Sequence, residues 1–276
     1  MCIRDRDQTV AVYRIQGIID GTASETFAAF ADEVVRDGDI KAVLLRVESP
    51  GGTVSDSDRI HAQVKRIRDA GKKVVVSMGG VAASGGYYVS APADEIFAEP
   101  TTITGSIGVL MNWIVLEKAL EHIGVEPVTI KSRRTADWKD EVSPFRGPTE
   151  PQREHLLSVL DEIQARFEQI VRDGRGDRLR TRVVSETDTE PFNGKVYLAE
   201  EAKRLGLIDS IGYQSEAVDR AARLAGLREP RVVRYKRRKS VFERLIGAES
   251  PPALGISAET LESLQTPRVL LMWKAQ

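Results

Sequence analysis

The sequence predicts a mixed α/β fold in which the strands pair in parallel. Apolar, β-branched runs that are typical of strands occur at residues 9–15, 42–47 and 73–77. Stretches with the apolar spacing of an amphipathic helix separate these runs. Glycine-rich turns follow the second and third runs. The order strand, helix, strand favours parallel pairing, because consecutive parallel strands need a crossover connection such as a helix.

The first strand covers residues 9–15 and ends before a predicted helix over residues 24–36. Either Thr22 or Ser24 is the predicted N-cap, since a side-chain oxygen there can accept from a free N–H group of the first turn. The apolar residues at helical spacing are Phe27, Phe30, Ala31 and Val34.

The second strand, residues 42–47, is too apolar for a sheet with one wet face, so we predict that it is central. It ends in the sharp turn 48–52, which a helix follows. The third strand, residues 73–77, leads into a turn of small residues at 80–88 and then a helix through residues 89–93. The apolar face of the helix between the two strands consists of Ile60, Val64 and Ile67.

The rest of the chain is less regular. The predicted elements are a strand at 95–98, a small-residue turn at 104–109, a helix at 113–122, a strand at 125–130, an irregular stretch at 132–146, a long helix from Pro148 or Thr149, a charged loop at 172–182, a turn at 192–195, helices at 199–205, 216–224 and 258–264, and a last strand at 268–273.

The composition is that of a soluble domain with an adequate core. Hydrophobic residues make up 41% of the 276 positions and charged residues 29%. The net charge of −1 does not indicate a nucleic-acid partner. The single cysteine, Cys2, excludes an intrachain disulfide and a cysteine metal cluster, and we expect no cofactor. No apolar run approaches the ~20 residues of a membrane span, and no signal peptide is expected.

The turn at 80–88 places a serine among residues with small side chains. Ser84 lies where a strand passes into a helix, so its hydroxyl is open to an approaching substrate. The N–H of Gly85 belongs to the first turn of that helix, where amides lack helical partners. Such an amide can bind the negative oxygen that develops on an attacked carbonyl. The alternative is a close-packed turn in which Ser84 only caps the helix.

A second glycine turn can supply a second amide. Gly51 and Gly52 follow the neighbouring strand, and ligands in open α/β sheets collect at the carboxyl ends of the strands. Two amide donors would form an oxyanion hole, and the loss of one donor typically costs ~10²–10³ in rate. The alternative is that this segment merely turns the chain.

A serine nucleophile needs a base, and no Asp–His pair with a recognisable spacing is present. A lysine can serve where burial lowers its pKa, because desolvation disfavours the charged amine. Lys139 is the main candidate, since it lies between Trp138 and the apolar segment 142–145. Lys131 and Lys118 are the alternatives, and Lys118 is predicted to lie on a wet helix face.

Four motifs occur in a fixed order in this chain. They are residues 49–52 (SPGG), 82–88 (AASGGYY), 104–108 (TGSIG) and 138–145 (WKDEVSPF). Together they resemble the signal peptide peptidase A family of Ser–Lys peptidases in its short, single-domain form. The resemblance covers about residues 9–227, the predicted catalytic domain.

The resemblance implies a role for each motif residue. Ser84 would be the nucleophile, Lys139 the general base and later general acid, and Ser106 a hydrogen-bond partner that orients the lysine. The oxyanion hole would be formed by the amides of Gly85 and of the Gly51–Gly52 turn, with Gly52 as the preferred donor.

The resemblance also implies a fold and a setting. The fold would be a spiral of strand–strand–helix units, similar to the Clp protease and the crotonases. The assembly would be a homo-oligomeric ring, an octamer by resemblance, with the dyad formed within one chain or across two. Substrates would be cleaved signal peptides and other membrane-associated polypeptides, degraded on the outer face of the bacterial cytoplasmic membrane.

Two features depart from the family pattern. Arg133 and Arg134 stand where the family often carries glycine. We hypothesise that the N-terminal membrane anchor of the family has been lost from this sequence, because residues 1–8 look non-native or truncated and residues 1–6 are similar to translated adaptor sequence. We therefore expect the natural chain to continue upstream. Residues 228–276 are a C-terminal extension, for which we hypothesise a role in oligomerisation.

Three other functions remain open at this point. A crotonase-like enzyme acting on coenzyme A thioesters would share the fold and the two-amide hole, but would need acidic catalytic residues. A non-catalytic, peptidase-like scaffold would bind membrane proteins and hold Lys139 in a salt bridge. A phage-type head-maturation peptidase would share the clan.

Overall fold

The computed structural model describes residues 8–186, 188–235 and 268–272. These residues form two compact units. The first unit contains residues 8–109, 164–235 and 270–272, and the second contains residues 110–163 together with 268 and 269. Residues 1–7 and the helix predicted at 258–264 lie outside the described residues.

The elements follow the predicted alternation through the first half of the chain. The helices are α1 (Gly21–Arg36), α2 (Val54–Asp69), α3 (Gly85–Ser90), α4 (Glu117–His122), α5 (Glu150–Arg175), α6 (Ala199–Arg204) and α7 (Gln214–Leu224), with a 3₁₀ turn at Gly176–Arg178. The strands are β1 (Thr9–Gln16), β2 (Ile40–Ser49), β3 (Gly51–Thr53), β4 (Lys73–Ala83), β5 (Glu95–Ala98), β6 (Ile103–Gly105), β7 (Leu110–Asn112), β8 (Arg182–Ser185), β9 (Asp188–Glu190), β10 (Val196–Leu198), β11 (Ser210–Ile211), β12 (Arg231–Arg234) and β13 (Arg268–Met272).

The main sheet of the first unit confirms the predicted α/β class. Its strands run in the order β10, β6, β4, β2, β1 and β12, with β5 pairing to both β4 and β11. All of these pairs are parallel except β10 with β6. Strand β2 lies between β1 and β4, as its two apolar faces predicted. Strand β12 pairs with β1, so the start of the predicted C-terminal extension belongs to this sheet.

Alternate residues of the strands supply two hydrophobic cores, one on each face of the sheet. Val43 and Leu45 of β2 pack on the side of α1 and α2, where Phe27 and Ile60 are fully buried. Leu44 points to the other face, where it joins a smaller cluster with residues of α7. The sheet is thus covered on both sides, which explains why its central strands are apolar throughout.

Several local predictions were wrong. Helix α1 is capped by Asp20, whose carboxylate accepts from the Ala23 N–H at 2.9 Å, whereas Thr22 and Ser24 lie inside the helix. Residues 125–130 form no strand. Pro127 removes a ladder donor from that stretch, and its apolar side chains are exposed instead of packed on a partner strand.

Helix boundaries in the less regular half also differ. Helix α4 begins at Glu117 rather than near residue 113, and α5 continues to Arg175, through the start of the predicted charged loop. The reason for the longer α5 is burial: Arg175 is enclosed and donates to the Asp209 carboxylate and to the Gly206 carbonyl. Residues 172–175 of the predicted loop therefore belong to a helix that is buried at Arg175, whereas residues 176–182 lie outside it and are mostly exposed.

A close helix approach in the first unit gives a stability prediction. A Cβ placed on Gly174 of α5 would lie 2.1 Å from the carbonyl oxygen of Ala91, which follows α3. Replacing a helical glycine by alanine normally stabilises by up to ~1 kcal/mol. Here we expect Gly174→Ala to lower the free energy of unfolding by about 2 kcal/mol or more, because the backbone must shift. Gly21→Ala, which adds a Cβ in open space at the start of α1, is the matched control and should not destabilise in urea unfolding.

Candidate active site

Two serines lie side by side at the carboxyl ends of neighbouring parallel strands. Ala83 of β4 pairs with Gly105 of β6, and the residue after each of them is a serine, Ser84 and Ser106. The Ser84 N–H donates to the Gly105 carbonyl at 2.8 Å, which extends the ladder to the nucleophile candidate. The parallel register therefore brings together two motifs that are far apart in the sequence.

Both serines have a backbone conformation that is rare for residues with a side chain. Ser84 has φ 53° and ψ −116°, and Ser106 has φ 51°. They are the only two non-glycine residues of the described chain with positive φ. Such conformations cost of the order of 1–3 kcal/mol and persist only where the surrounding structure enforces them. The strain at Ser84 places its side chain at the point where β4 turns into α3.

The Ser84 hydroxyl is enclosed and has no hydrogen-bond partner among the described residues. Ser84 is 1% exposed, and its Oγ atom is one of two buried polar side-chain atoms left without a partner. Ser84 occupies the N-cap position of α3, as the alternative predicted, but its side chain makes no capping hydrogen bond. A buried hydroxyl without a partner lowers the stability of the fold. The Ser84 hydroxyl therefore serves a purpose other than stability.

The second glycine turn packs directly against the serine turn. A Cβ built on Gly85 would lie 3.1 Å from both the Gly51 Cα and the Gly52 nitrogen, and 2.6 Å from Ser57 Oγ. Gly51 has φ +110°, and its own Cβ position lies 2.9 Å from the Gly85 nitrogen. Only residues without a Cβ can approach this closely. The predicted meeting of the two turns at one edge of the sheet is therefore present in the structure.

The two amides of the Gly51–Gly52 turn are not equivalent. The Gly51 N–H donates to Ser49 Oγ at 3.1 Å and is therefore already used. Gly52 lies in β3, which pairs antiparallel with β13 and places Leu271 opposite Gly52. Leu271 is fully buried there. The edge of β3 is thus occupied by the apolar strand β13, a pairing that the sequence did not predict.

Helix α3, which follows Ser84, is anchored by residues that the sequence analysis missed. Tyr88, one turn after the serine, is buried and donates its hydroxyl to Asp58 at 2.7 Å. Asp58 also accepts from Arg166 at 2.8 Å, and the Tyr88 ring packs on Phe167 at 4.9 Å. His61 contacts the other edge of Tyr88, and burial lowers the pKa of His61 to about 4. This histidine is neutral at pH 7 and supports the aromatic ring.

None of the three histidines contacts the serine, since the Ser84 hydroxyl has no partner in the described chain. His122 is exposed, and His155 is hydrogen-bonded to Glu141 at 2.8 Å. This agrees with the absence of an Asp–His spacing in the sequence. Among the described residues no three His, Cys, Asp or Glu side chains are grouped as a metal site would require.

The lysine candidates belong to the second unit and have different surroundings. Lys131 is ion-paired with Asp140 at 2.8 Å, and Lys118 is exposed on α4 as predicted. Lys139 is also exposed, and its amine has no hydrogen bond or ion pair to the described residues. The enclosed setting expected from Trp138 and residues 142–145 is thus not provided by its own segment. The salt bridge expected for a scaffold protein is likewise not seen at Lys139 in the described chain.

Comparison with known proteins identifies the family. The model of peptidase family S49 matches residues 66–228, more than half of the chain. The chain belongs to peptidase family S49. Its matched region includes the Ser84 and Ser106 turns and Lys139. This membership confirms the resemblance drawn from the four motifs, and the parallel sheet confirms the predicted α/β class.

Individual relatives are about a third identical to this chain over the aligned residues. Protease 4 of Salmonella typhi is 33% identical over 94% of this chain and 42% of its own length. A putative signal peptide peptidase SppA of Enterococcus faecium is 33% identical over 77% of this chain and 59% of its own length. A putative protease of Synechocystis sp. is 34% identical over 84% of this chain and 80% of its own length. The chain spans less than two thirds of the length of the first curated relatives that it matches.

A solved structure of ClpP1 from Listeria monocytogenes is also similar. It is 17% identical, with a TM-score of 0.47, and covers 77% of this chain and 95% of its own. In the described part of this S49 member, no helix is long and apolar enough to cross a membrane.

Two serines of the same turn and helix give a paired stability prediction. Ser84→Ala removes a buried hydroxyl without a partner, so we expect it to raise the free energy of unfolding by about 1 kcal/mol. Ser90→Ala removes a buried hydroxyl that donates to the Gly86 carbonyl at 2.7 Å, and should lower it by about 1 kcal/mol. Chemical unfolding of both variants measures the two changes. Equal losses of stability would show that the Ser84 hydroxyl is satisfied.

Proposed function

We propose that this S49 member is a serine endopeptidase that uses Ser84 as nucleophile and Lys139 as general base. The observation that carries the proposal is the Ser84 turn itself: a strained, enclosed serine with an unbonded hydroxyl beside two glycine backbones. Peptidase names among the relatives support the same reading.

The proposed reaction is acyl transfer through an ester. Ser84 Oγ attacks the carbonyl carbon of a peptide bond while its proton passes to the amine of Lys139. The N–H groups of Gly85 and Gly52 hold the resulting oxyanion. The C–N bond then breaks, and the leaving amine takes the proton from Lys139. Water then gives a proton to the same lysine and attacks the ester carbon. The bond from that carbon to Ser84 Oγ breaks, Oγ takes the proton back from Lys139, and the carboxylic acid product leaves.

Ser106 is proposed to orient the lysine. It lies on the strand next to Ser84, and its hydroxyl has no hydrogen bond within the described chain. A hydroxyl at this position can accept from an amine that approaches Ser84, which would fix the amine's direction.

The substrate is proposed to be an extended, apolar polypeptide, such as the remnant of a cleaved signal peptide. The edge of β3 supports this, because it already pairs with an apolar strand of the chain and buries Leu271 opposite Gly52. A substrate that took the place of β13 along β3 would form main-chain hydrogen bonds and leave alternate side chains to be recognised. The proposed localisation is the outer face of the cytoplasmic membrane, as the family resemblance implies.

A ring of copies is proposed to complete the site. Seen alone, the second unit exposes many large apolar side chains, including Ile123, Val128 and Ile130 at 69%, 80% and 92%. Exposed apolar surface of this extent is typical of a protein–protein interface. Burial of that surface against a second copy would also place Lys139 in the dry environment that a neutral lysine base needs.

The crotonase-like alternative is less well supported. The matching family is a peptidase family, and the strained serine has no role in a site that needs acidic catalytic residues. Labelling of Ser84 by a fluorophosphonate, which reacts with activated serine hydroxyls, separates the two functions.

The lysine assignment predicts a specific loss. Lys139→Ala should lower hydrolysis of a quenched fluorescent peptide with the apolar composition of a signal sequence by ~10²–10⁴-fold, because proton transfer to a positioned base contributes about that factor. Lys118→Ala, which removes another exposed lysine of the same unit, should retain full activity. Retained hydrolysis in purified Lys139→Ala would remove this lysine from the mechanism.

Mixing inactive variants tests whether the dyad is formed across copies. If Ser84 of one copy works with Lys139 of its neighbour, subunits of Ser84→Ala and Lys139→Ala co-refolded in equal amounts should regain about a quarter of the wild-type activity, since random assembly reunites both groups at that frequency. No recovery in rings of verified mixed composition would place the dyad within one chain.

A further inference from the structure

The segment that carries Lys139 is held from one side by an ionic cluster centred on Asp140. The Asp140 carboxylate accepts from Lys131 Nζ at 2.8 Å and from two nitrogens of Arg146 at 2.6 and 2.9 Å. These hydrogen bonds hold the pKa of Asp140 far below its usual value, so the carboxylate stays charged at any working pH. The residue next to Lys139 is therefore fixed by a bidentate arginine, the most directional of the ion-pair geometries.

The same arginine extends the cluster to the other end of the segment. Arg146 also donates to Gln152 Oε1 at 3.0 Å, and the Gln152 amide donates to the main-chain carbonyl of Asp137. Gln152 is 1% exposed, and its oxygen also accepts from the Thr149 N–H at 3.0 Å. Hydrogen bonds thus connect residue 137 through Gln152 and Arg146 to residue 140, and this set of contacts is called the circuit below.

Two further contacts hold the neighbours of Lys139. The ring of Trp138 meets the His155 ring edge-on at 5.4 Å, and Glu141 is hydrogen-bonded to His155 Nδ1 at 2.8 Å. Each residue from 137 to 141 except Lys139 is therefore fixed through a side chain or carbonyl to the start of α5 or to Arg146. The amine of Lys139, in contrast, has no hydrogen bond or ion pair in the described chain.

We propose that Asp140, Arg146 and Gln152 are positioning residues that present Lys139 to the nucleophile. This inference rests on the proposed function of Lys139. The segment has no regular secondary structure of its own, so the circuit replaces the rigid element on which catalytic groups are usually mounted. A general base must be held closely, because a misplacement of about 1 Å can cost ~10²-fold in rate.

The test compares two carboxylates that each pair with two cations. Asp140→Asn keeps the size of the side chain but loses the charge that holds Arg146 and Lys131. Asp32→Asn is the matched control, since Asp32 pairs with Arg66 at 2.6 Å and Arg36 at 3.5 Å on the surface of the first unit. With the quenched fluorescent peptide, we expect Asp140→Asn to lower kcat by ~10–100-fold with KM within about twofold. Asp32→Asn should leave both constants unchanged.

A double variant tests whether the circuit acts as one unit. Arg146→Gln should lower kcat to a similar extent, and the combination with Asp140→Asn should cost little more than either change alone, because both remove the same constraint. If the losses of kcat in the two single variants multiply in the double variant, the two residues act independently and the circuit is not one unit. Assembly size by light scattering should match the wild type in all variants. Thermal unfolding should stay cooperative with at most a modest drop in midpoint, because the ion pairs of Asp140 are only half-buried.

The remaining outcomes separate this inference from the function that it assumes. Normal kcat in Asp140→Asn, with Lys139→Ala inactive, overturns the positioning role and leaves the dyad intact. Full activity in Lys139→Ala overturns both. A loss of activity in Asp140→Asn that appears in KM, or together with a smaller assembly, identifies Asp140 as a substrate or interface contact and also overturns the positioning role.

Discussion

The site depends on the contact between two backbone turns at the carboxyl edge of a parallel sheet. Strands β2 and β4 are neighbours, and the turns that follow them approach so closely that a Cβ on Gly51 or Gly85 would collide with the other turn. This contact holds the Gly85 amide near the Gly52 amide without any side chain. Amides fixed in this way need no reorganisation when charge develops beside them, which is the condition for an effective oxyanion hole.

The rest of the first unit can be understood as support for that contact. Positive φ at Ser84 stores strain, and the strain is offset by the buried sheet beneath it and by the anchoring of α3 through Tyr88 and Asp58. The close approach of α5 at Gly174 limits the space behind α3. A nucleophile on such a rigid turn can be placed accurately even though its hydroxyl gains no stabilising hydrogen bond.

How far the sequence could predict this structure depends on the range of the interactions. The strands, the two glycine turns and their shared edge were predictable, because alternation, small residues and parallel pairing are local or follow from topology. The buried Arg175 and the pairing of Leu271 with Gly52 were not, since each depends on a partner distant in the sequence or on burial. The Asp20 cap is a local contact and was missed because the neighbouring Thr22 and Ser24 are also suitable cap residues. Apolar residues at 125–130 were misread as a strand because exposed apolar surface carries the same local pattern as a core.

The two residues of the proposed dyad have opposite surroundings. Ser84 is enclosed and leaves a hydroxyl unsatisfied, whereas Lys139 is exposed on a braced segment with its amine unpaired. A lysine amine in water is protonated near neutral pH and cannot act as a base. Removal of water from that amine is therefore the step that would activate the nucleophile, and the apolar side chains exposed in the same unit could supply a surface for a second copy. On this view assembly is required for catalysis. The burial that stabilises a ring would also favour the neutral amine of Lys139, whereas an isolated copy would have the nucleophile but no base.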